Sequence, residues 1–322
     1  MSDFPRNQRD IPMTDPTDTP GGAAPDPAAT PMSPHTPNTP TTPALARTPE
    51  ELAHLRARLG GRVALVPTMG ALHGGHRALM AAAREQADAL IVSVFVNPLQ
   101  FGPGEDYENY PRDLDADMRV CAEEGAALVF APSAEDMYPG EQIVRVDPGE
   151  MGGVLEGEFR PGFFSGVLTV VCKLFNLVRP DVAVFGQKDA QQLALVRRMV
   201  RDLNLPVTIA AAPTMRDPDN LASSSRNAYL GPEERRSALA LSKALLSGAD
   251  ASLTGPVGIL SAARAVLDEA VAGDPPVTVD YLTLVDANTF AEVPGDFRGD
   301  AVLLVAARVG GTRLIDNVPL TL

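Results

Sequence analysis

The chain has 322 residues, of which 45% are hydrophobic, and a formal charge of −14. That is enough apolar material for a sizeable core and, by length, for two domains. The acidic balance argues against a generic nucleic-acid binder, which needs a basic surface, but leaves room for a small anionic ligand held by a few local cations.

Residues 1–48 are Pro/Thr-rich ("TDPTDTPGGAAPDPAATPMSPHTPNTPTTPA"), with almost no aliphatic side chains. Such a segment buries too little surface to offset its ordering entropy, so a disordered tail is expected, with His35 inert inside it. No apolar leader opens the chain, and Cys121 and Cys172 form no metal or redox motif. A reduced, cytoplasmic setting follows as the expectation.

Order is expected from Pro49. "TPEELAHLRARL" reads as a helix with Thr48 as N-cap, Pro49 at its first position and glutamates in its first turn; His54 lies on it in a structural role. Next come a buried strand "RVALVPTM", a helix "GGHRALMAAAREQA", a strand "ALIVSVFVNP", a helix "DLDADMRVCAEEG" and a strand "ALVFAPS". After an irregular stretch follow the helix "SGVLTVVCKLFNLV", the strand "DVAVFG", the helix "DAQQLALVRRMVRDL" and the strand "PVTIAAA". The longest apolar run is interrupted by Lys173 and is too short to span a bilayer, so it reads as a buried helix and no membrane partner is expected.

Strands alternating with amphipathic helices predict an α/β fold, a Rossmann-like doubly wound parallel sheet, over residues 49–214. Residues 215–322 change character. Two helices, "GPEERRSALALSKALL" and "PVGILSAARAVLDEA", precede strands "VTVDYLTLVD" and "AVLLVAARVGGTRLIDNV", the latter a hairpin around Gly310-Gly311. This half reads as a second, smaller α+β domain.

Ligands of doubly wound sheets bind beyond the carboxyl ends of the strands. Four polar segments fall there or beside the boundary between the halves. In "TMGALHGGH", glycines let backbone N–H groups approach phosphate, a helix start adds a positive dipole end, and His73 and His76, three apart, can aim at one phosphate. The alternatives are a solvated turn with incidental histidines, or a metal site that lacks an obvious third ligand. In "VFVNPLQFG", Asn97 and Gln100 both donate and accept, which suits a substrate with carboxylate and hydroxyl groups. In "FGQKDAQQL", Gly186 ends a strand, Lys188 is a point charge suited to phosphate, and Asp189 is a helix N-cap. Asp189 and Gln192 look the same way while Gln191 points elsewhere; by itself Lys188 also reads as a solvated loop lysine. In "TMRDPDNLASSSRNAYL", serine hydroxyls and Arg226 match a di- or triphosphate, unless this is only a flexible polar loop.

Together "PTMGALHGGH", "VFVNPLQFG", "FGQKDAQQL" and "LASSSRN" resemble, in order and spacing, the pantothenate synthetase (pantoate–β-alanine ligase) family, over residues 49 to 322. The "HGGH" segment is similar to the His-x-Gly-His signature of the nucleotidyltransferase superfamily. The resemblance implies ligation in two steps: ATP and pantoate give a pantoyl adenylate and pyrophosphate, then the amine of β-alanine displaces AMP to give pantothenate, a step of coenzyme A biosynthesis. It implies an ATP site of Met69, Gly70, Ala71, Leu72, His73, Gly74, Gly75 and His76. Gly186, Gln187, Lys188 and Asp189 would join it, as would Met215, Ser223, Ser224, Ser225 and Arg226. Catalytic roles would fall to His73, His76, Lys188 and Arg226, with His76 as proton donor. Gln100, Gln192 and Asn97 would meet pantoate or β-alanine. The resemblance further implies magnesium carried on the triphosphate, no protein-held metal, no nucleic acid, and a homodimer.

The chain departs from the family pattern at Phe163, where His is frequent, and at Ala116, where a second acid is common. It also has Asn220 for Gly and Ser223 for Met. Two other readings remain at this point. One is a relative that adenylylates a phosphate ester, which would want more cations than Gln100 and Gln192 provide; the other is a non-catalytic nucleotide-binding protein.

Overall fold

The computed structural model describes residues 42–102 and 107–322. The Pro/Thr-rich tail, up to position 41 and with it His35, lies outside the described residues. Order begins before Pro49, however. Ala44–Ala46 form strand β1, which pairs in parallel with β4 (Leu128–Phe130) at the sheet edge, its residue Ala46 fully buried. Three small or aliphatic residues next to a Pro/Thr run carry no alternation pattern, so the strand is invisible until its partner is known.

Helix α1 (Pro49–Arg56) starts as its sequence demands: the Thr48 hydroxyl accepts the Glu51 N–H at 3.2 Å, and Pro49 needs no donor there. The remaining elements of the larger half alternate. They are β2 (Val63–Thr68), α2 (Gly74–Arg84), β3 (Ala89–Val94), α3 (Leu114–Glu123), β4, α4 (Ala134–Met137), α5 (Glu156–Phe159), α6 (Phe163–Val178), β5 (Val182–Gly186), α7 (Ala190–Asp202) and β6 (Thr208–Ala212).

Among the described residues these strands form one six-stranded sheet of order β1-β4-β3-β2-β5-β6, every pairing parallel. Both faces are covered. Val63 and Leu65 of β2 point into one core with α1, α6 and α7; Ala64 and Val66 point into another with α2 and α3. This is why the strands read as continuous apolar runs rather than alternating ones. Helix α6 is buried along most of its length, and its Lys173 escapes by laying its ammonium 5.4 Å from the Tyr138 ring centroid. The strand order reverses between β2 and β5. That is the topological switch point, where the carboxyl ends of neighbouring strands open a crevice.

The smaller half packs α8 (Pro232–Asp250) and α9 (Gly255–Val271) on an antiparallel sheet, β7 (Val277–Asp286), β8 (Asp300–Val309) and β9 (Thr312–Thr321), in that order. Leu241, Leu245, Ile259, Leu303 and Val305 meet in its core. The expected hairpin lies at Gly310-Gly311, with Gly310 at φ 56° and Val309 opposite Thr312. The described residues make up one compact unit that contains both sheets.

Candidate active site

The loop after β2 is pinned from behind. Asp117 of α3 is buried, and its carboxylate accepts the N–H groups of Ala71 at 3.2 Å and Leu72 at 2.9 Å. Burial raises the Asp117 pKa, and the two backbone donors oppose that rise. Gly70 sits at φ 84°, and a Cβ there would come within 2.7 Å of the same carboxylate, so only glycine fits. The sequence did carry a clue to Asp117: it lies three residues after Leu114 and four before Cys121, on the apolar face of its helix.

The two imidazoles then cap α2 reciprocally. His73 is the N-cap, and its Nδ1 accepts the Gly75 N–H at 3.1 Å; His76 Nδ1 accepts the His73 N–H at 3.3 Å. The ring centroids are 4.2 Å apart. A Cβ on Gly75 would stand 2.9 Å from His73 Cε1, which explains the glycine. An Nδ1 that accepts a backbone N–H carries a lone pair, so in each neutral ring the proton is on Nε2. Burial, and then the neighbouring His73, push the His76 pKa down to about 3. His73 is lowered by burial and by the charge of Lys188, with Asp217 opposing. Both rings are therefore neutral near pH 7 and act as fixed Nε2–H donors.

One cavity of about 440 Å³ lies before them. Its wall contains His73, Gly75 and His76, Met69 and Ala71 from the same loop, and Gly186, Lys188, Asp189 and Gln192 from the end of β5 and the start of α7. Gln100 and Asn97 join from the end of β3, and Met215, Ser223, Ser224, Ser225 and Arg226 from the loop after β6. Gly70, Leu72, Gly74 and Gln187 do not line it. Leu72 packs on the core beneath, Gly74 opens α2, and Gln187 faces a separate cavity. Gln191 points away, as its spacing predicts, and bonds Glu156 N, Met151 O and Val154 O.

Asn97 lines the cavity, and its amide is engaged within the protein. It is 1% exposed, its Nδ2 donates to Gln100 Oε1 and Gly166 O (both 3.1 Å), and its Oδ1 accepts from Leu99 N and the Tyr138 hydroxyl. Every donor and acceptor of the amide is taken up by protein, so Asn97 touches the cavity but orients Gln100. The Gln100 amide is thereby turned with Nε2 outward, 3.0 Å from Met69 Sδ.

Three of the four departures noted in the sequence have local reasons. Phe163 lies under the Arg160 guanidinium, 3.7 Å from ring centroid to Cζ, and Arg160 lines the cavity and donates to Gln100 O at 3.2 Å. Asn220 has φ 72°, the left-handed region in which Asn is the best substitute for Gly. Ser223 donates to Asp217, which also accepts from Asn227 and Arg235, tying the serine loop to α8. The structure offers no account of Ala116. The roles of Asp117, Arg160 and Tyr138 were missed in the sequence because they depend on partners 41 to 60 residues away; Asp217 was missed too, though its partners lie within 18 residues.

A doubly wound parallel sheet with paired imidazoles, a lysine and an arginine around its switch-point crevice defines an α/β enzyme built to handle a phosphorylated ligand. Residues 44–319 match the family model described as pantoate-beta-alanine ligase, and the chain belongs to that family. It is 70% identical over 284 residues to a pantothenate synthetase of Thermobifida fusca (86% of this chain, 96% of that one) and 57% identical to one of Acidothermus cellulolyticus (86% and 91%). Among solved structures it resembles a pantothenate synthetase of Thermus thermophilus, with a TM-score of 0.78 and 45% identity over 85% of this chain and 98% of that one. It also resembles the pantoate-beta-alanine ligase of Francisella tularensis complexed with beta-gamma ATP and beta-alanine, with a TM-score of 0.69 and 31% identity over 86% and 97%.

Proposed function

We infer that this chain joins pantoate and β-alanine to pantothenate with consumption of ATP. A pantoate carboxylate oxygen attacks the α-phosphorus and pyrophosphate leaves. The β-alanine amine then attacks the acyl carbon of the pantoyl adenylate, AMP leaves, and the amine loses its proton. The observation that carries the assignment is the meeting of two neutral imidazoles, Lys188, Arg226 and the amides of Gln100 and Gln192 on one cavity wall, in a member of this family.

In this assignment the imidazole Nε2–H groups of His73 and His76 donate to phosphate oxygens as charge grows on them, and being neutral they need no deprotonation to stay in place. Burial and the neighbouring His73 push the His76 pKa down to about 3, so its ring meets the incoming phosphates neutral, as an Nε2–H donor. Lys188 and Arg226 neutralise the triphosphate, with Ser224 and Ser225 beside them. Gln100 and Gln192 hold pantoate, and Gln100 also meets β-alanine. Magnesium enters as part of the ATP substrate. Among the described residues no group of three or more His, Cys, Asp or Glu side chains is placed to cage an ion.

Residues 49–214 would then carry most of the site, and residues 215–322 the serine loop and the smaller sheet. We further assign a homodimer and a cytoplasmic setting. Ile143 and Val144, 84% and 78% exposed, offer an apolar edge for a second copy, and among the described residues no helix is long and apolar enough to cross a membrane.

The test is an assay of purified protein with ATP, pantoate and β-alanine, each left out in turn. Labelled pantothenate forms only with all three; pyrophosphate release needs ATP and pantoate. Pyrophosphate release without pantoate, or no pantothenate at all, refutes the assignment.

A further inference from the structure

The turn that carries Lys188 is not held by its own ends. Gln187–Asp189 is a single turn of 3-10 helix between β5 and α7; Gly186 before it has no side chain to cap with, and Asp189, its last residue and the N-cap of α7, makes no side-chain capping hydrogen bond. A second pocket, of about 390 Å³, borders Gln187. The Lys188 ammonium makes no ion pair among the described residues, yet its charge is felt at His73.

The donors that the turn needs come from the other sheet. Asn317 of β9 is 3% exposed, and its Nδ2 donates to Gln187 O at 3.0 Å and Lys188 O at 2.8 Å. Its Oδ1 is buried without a hydrogen-bond partner. A side chain that commits both amide protons to one turn and tolerates an orphaned acceptor is kept for its donor end. The preceding residue, Asp316, is 4% exposed and accepts the Arg216 guanidinium at 2.7 and 3.1 Å, anchoring the start of the serine loop.

We propose that Asn317 is a positioning residue for Lys188: from the small sheet it fixes the turn that aims the ammonium at the nucleotide phosphates. The proposal rests on the ATP assignment above. Losing the amide donor to two carbonyls of this turn would scatter the ammonium over several positions and weaken its hold on ATP, while the pantoate and β-alanine contacts of Gln100 stay intact.

A double-mutant cycle in the full-length protein tests it, with N317L, K188A and the pair, read as KM for each substrate in steady-state pantothenate formation and as ATP affinity by calorimetry. N317L raises the KM for ATP about tenfold, the value of one or two lost hydrogen bonds, and leaves the KM for β-alanine within about twofold. In the K188A background N317L adds nothing further, because the group it acts through is gone. Effects that multiply in the double variant, or a uniform loss across all three substrates that tracks the melting temperature, overturn the proposal. Amide hydrogen exchange at residues 187–190 gives a readout independent of activity. It is faster in N317L, or in N317T should the leucine variant fail to fold, and unchanged exchange also overturns the proposal. Wild-type protein that released no pyrophosphate would refute the ligase assignment, and hydrogen exchange would then decide the Asn317 claim alone.

Discussion

At His76 the chemistry turns on which ring nitrogen is free. Its Nδ1 is committed to the His73 N–H, so substitution removes an Nε2–H donor and half of a helix cap together. His76→Ala is expected to lower kcat by about 10²–10³, the usual cost of losing one transition-state donor, measured by single-turnover pyrophosphate release. A second consequence concerns pH. In the unfolded chain His76 takes a proton near 6.5, whereas in the folded chain it resists protonation down to about 3. Between those values the unfolded state binds more protons, so stability falls as pH drops below 6.5 and is flat in this group above it. The window from pH 6.5 to about 5 lies above most carboxylate titrations, so denaturant midpoints there should slope more steeply for wild type than for His76→Gln. Equal slopes would mean that His76 is not held neutral.

The elements show where sequence reading stops. Alternating α and β segments, the capped start at Thr48, the imidazole turn and the Gly310-Gly311 hairpin were all legible, because each is set by residues within a few positions of one another. Strand β1 was not, since pairing with β4 rather than its own pattern makes it a strand. Nor was the tie between Asn97 and Gln100, whose anchors Tyr138 and Gly166 lie 41 and 69 residues from Asn97. Gly166 illustrates the hidden constraint. A Cβ there would stand 2.1 Å from Leu99 O and 2.7 Å from Gln100 N, because α6 runs directly against the short turn that presents Gln100. Gly166→Ala should therefore cost about 1–3 kcal/mol in chemical denaturation, as overpacking does, and raise the KM for pantoate more than that for ATP. A variant as stable as wild type, with unchanged KM values, would show that the turn has more room than the structure gives it.

At the scale of the whole molecule, side chains of the smaller sheet tie it to elements of the larger half, and Arg313 of β9 reaches α5 in this way. Its guanidinium meets both oxygens of Glu156 at 2.7 Å and Asp280 at 2.6 Å, with side-chain exposures of 16%, 13% and 9%. Burial favours the neutral form of Glu156, but the Arg313 hydrogen bonds and charge outweigh it, and the pKa ends lowered. The stability this contributes is present above the unfolded carboxylate value near 4.5 and is lost as pH falls through the lower folded value. Two carboxylates share the cation, so removing Arg313 takes its close charged partner from each in a poorly solvated place, leaving Asp280 with Arg308 at 3.9 Å and Glu156 with the Tyr281 hydroxyl at 2.9 Å and the charge of Arg160. Arg313→Met is expected to cost about 3–5 kcal/mol, read from the urea midpoint at pH 7. Neutralising one stranded group should then recover part of the loss, so Arg313→Met with Glu156→Gln must be more stable than Arg313→Met alone. The recovery separates a charge left unpaired from a simple packing defect, which Glu156→Gln could not relieve. Because Glu156 begins the short helix that leads to Arg160 at the cavity wall, the single variant should also lose catalytic activity at temperatures below its global unfolding, and the double variant should regain it.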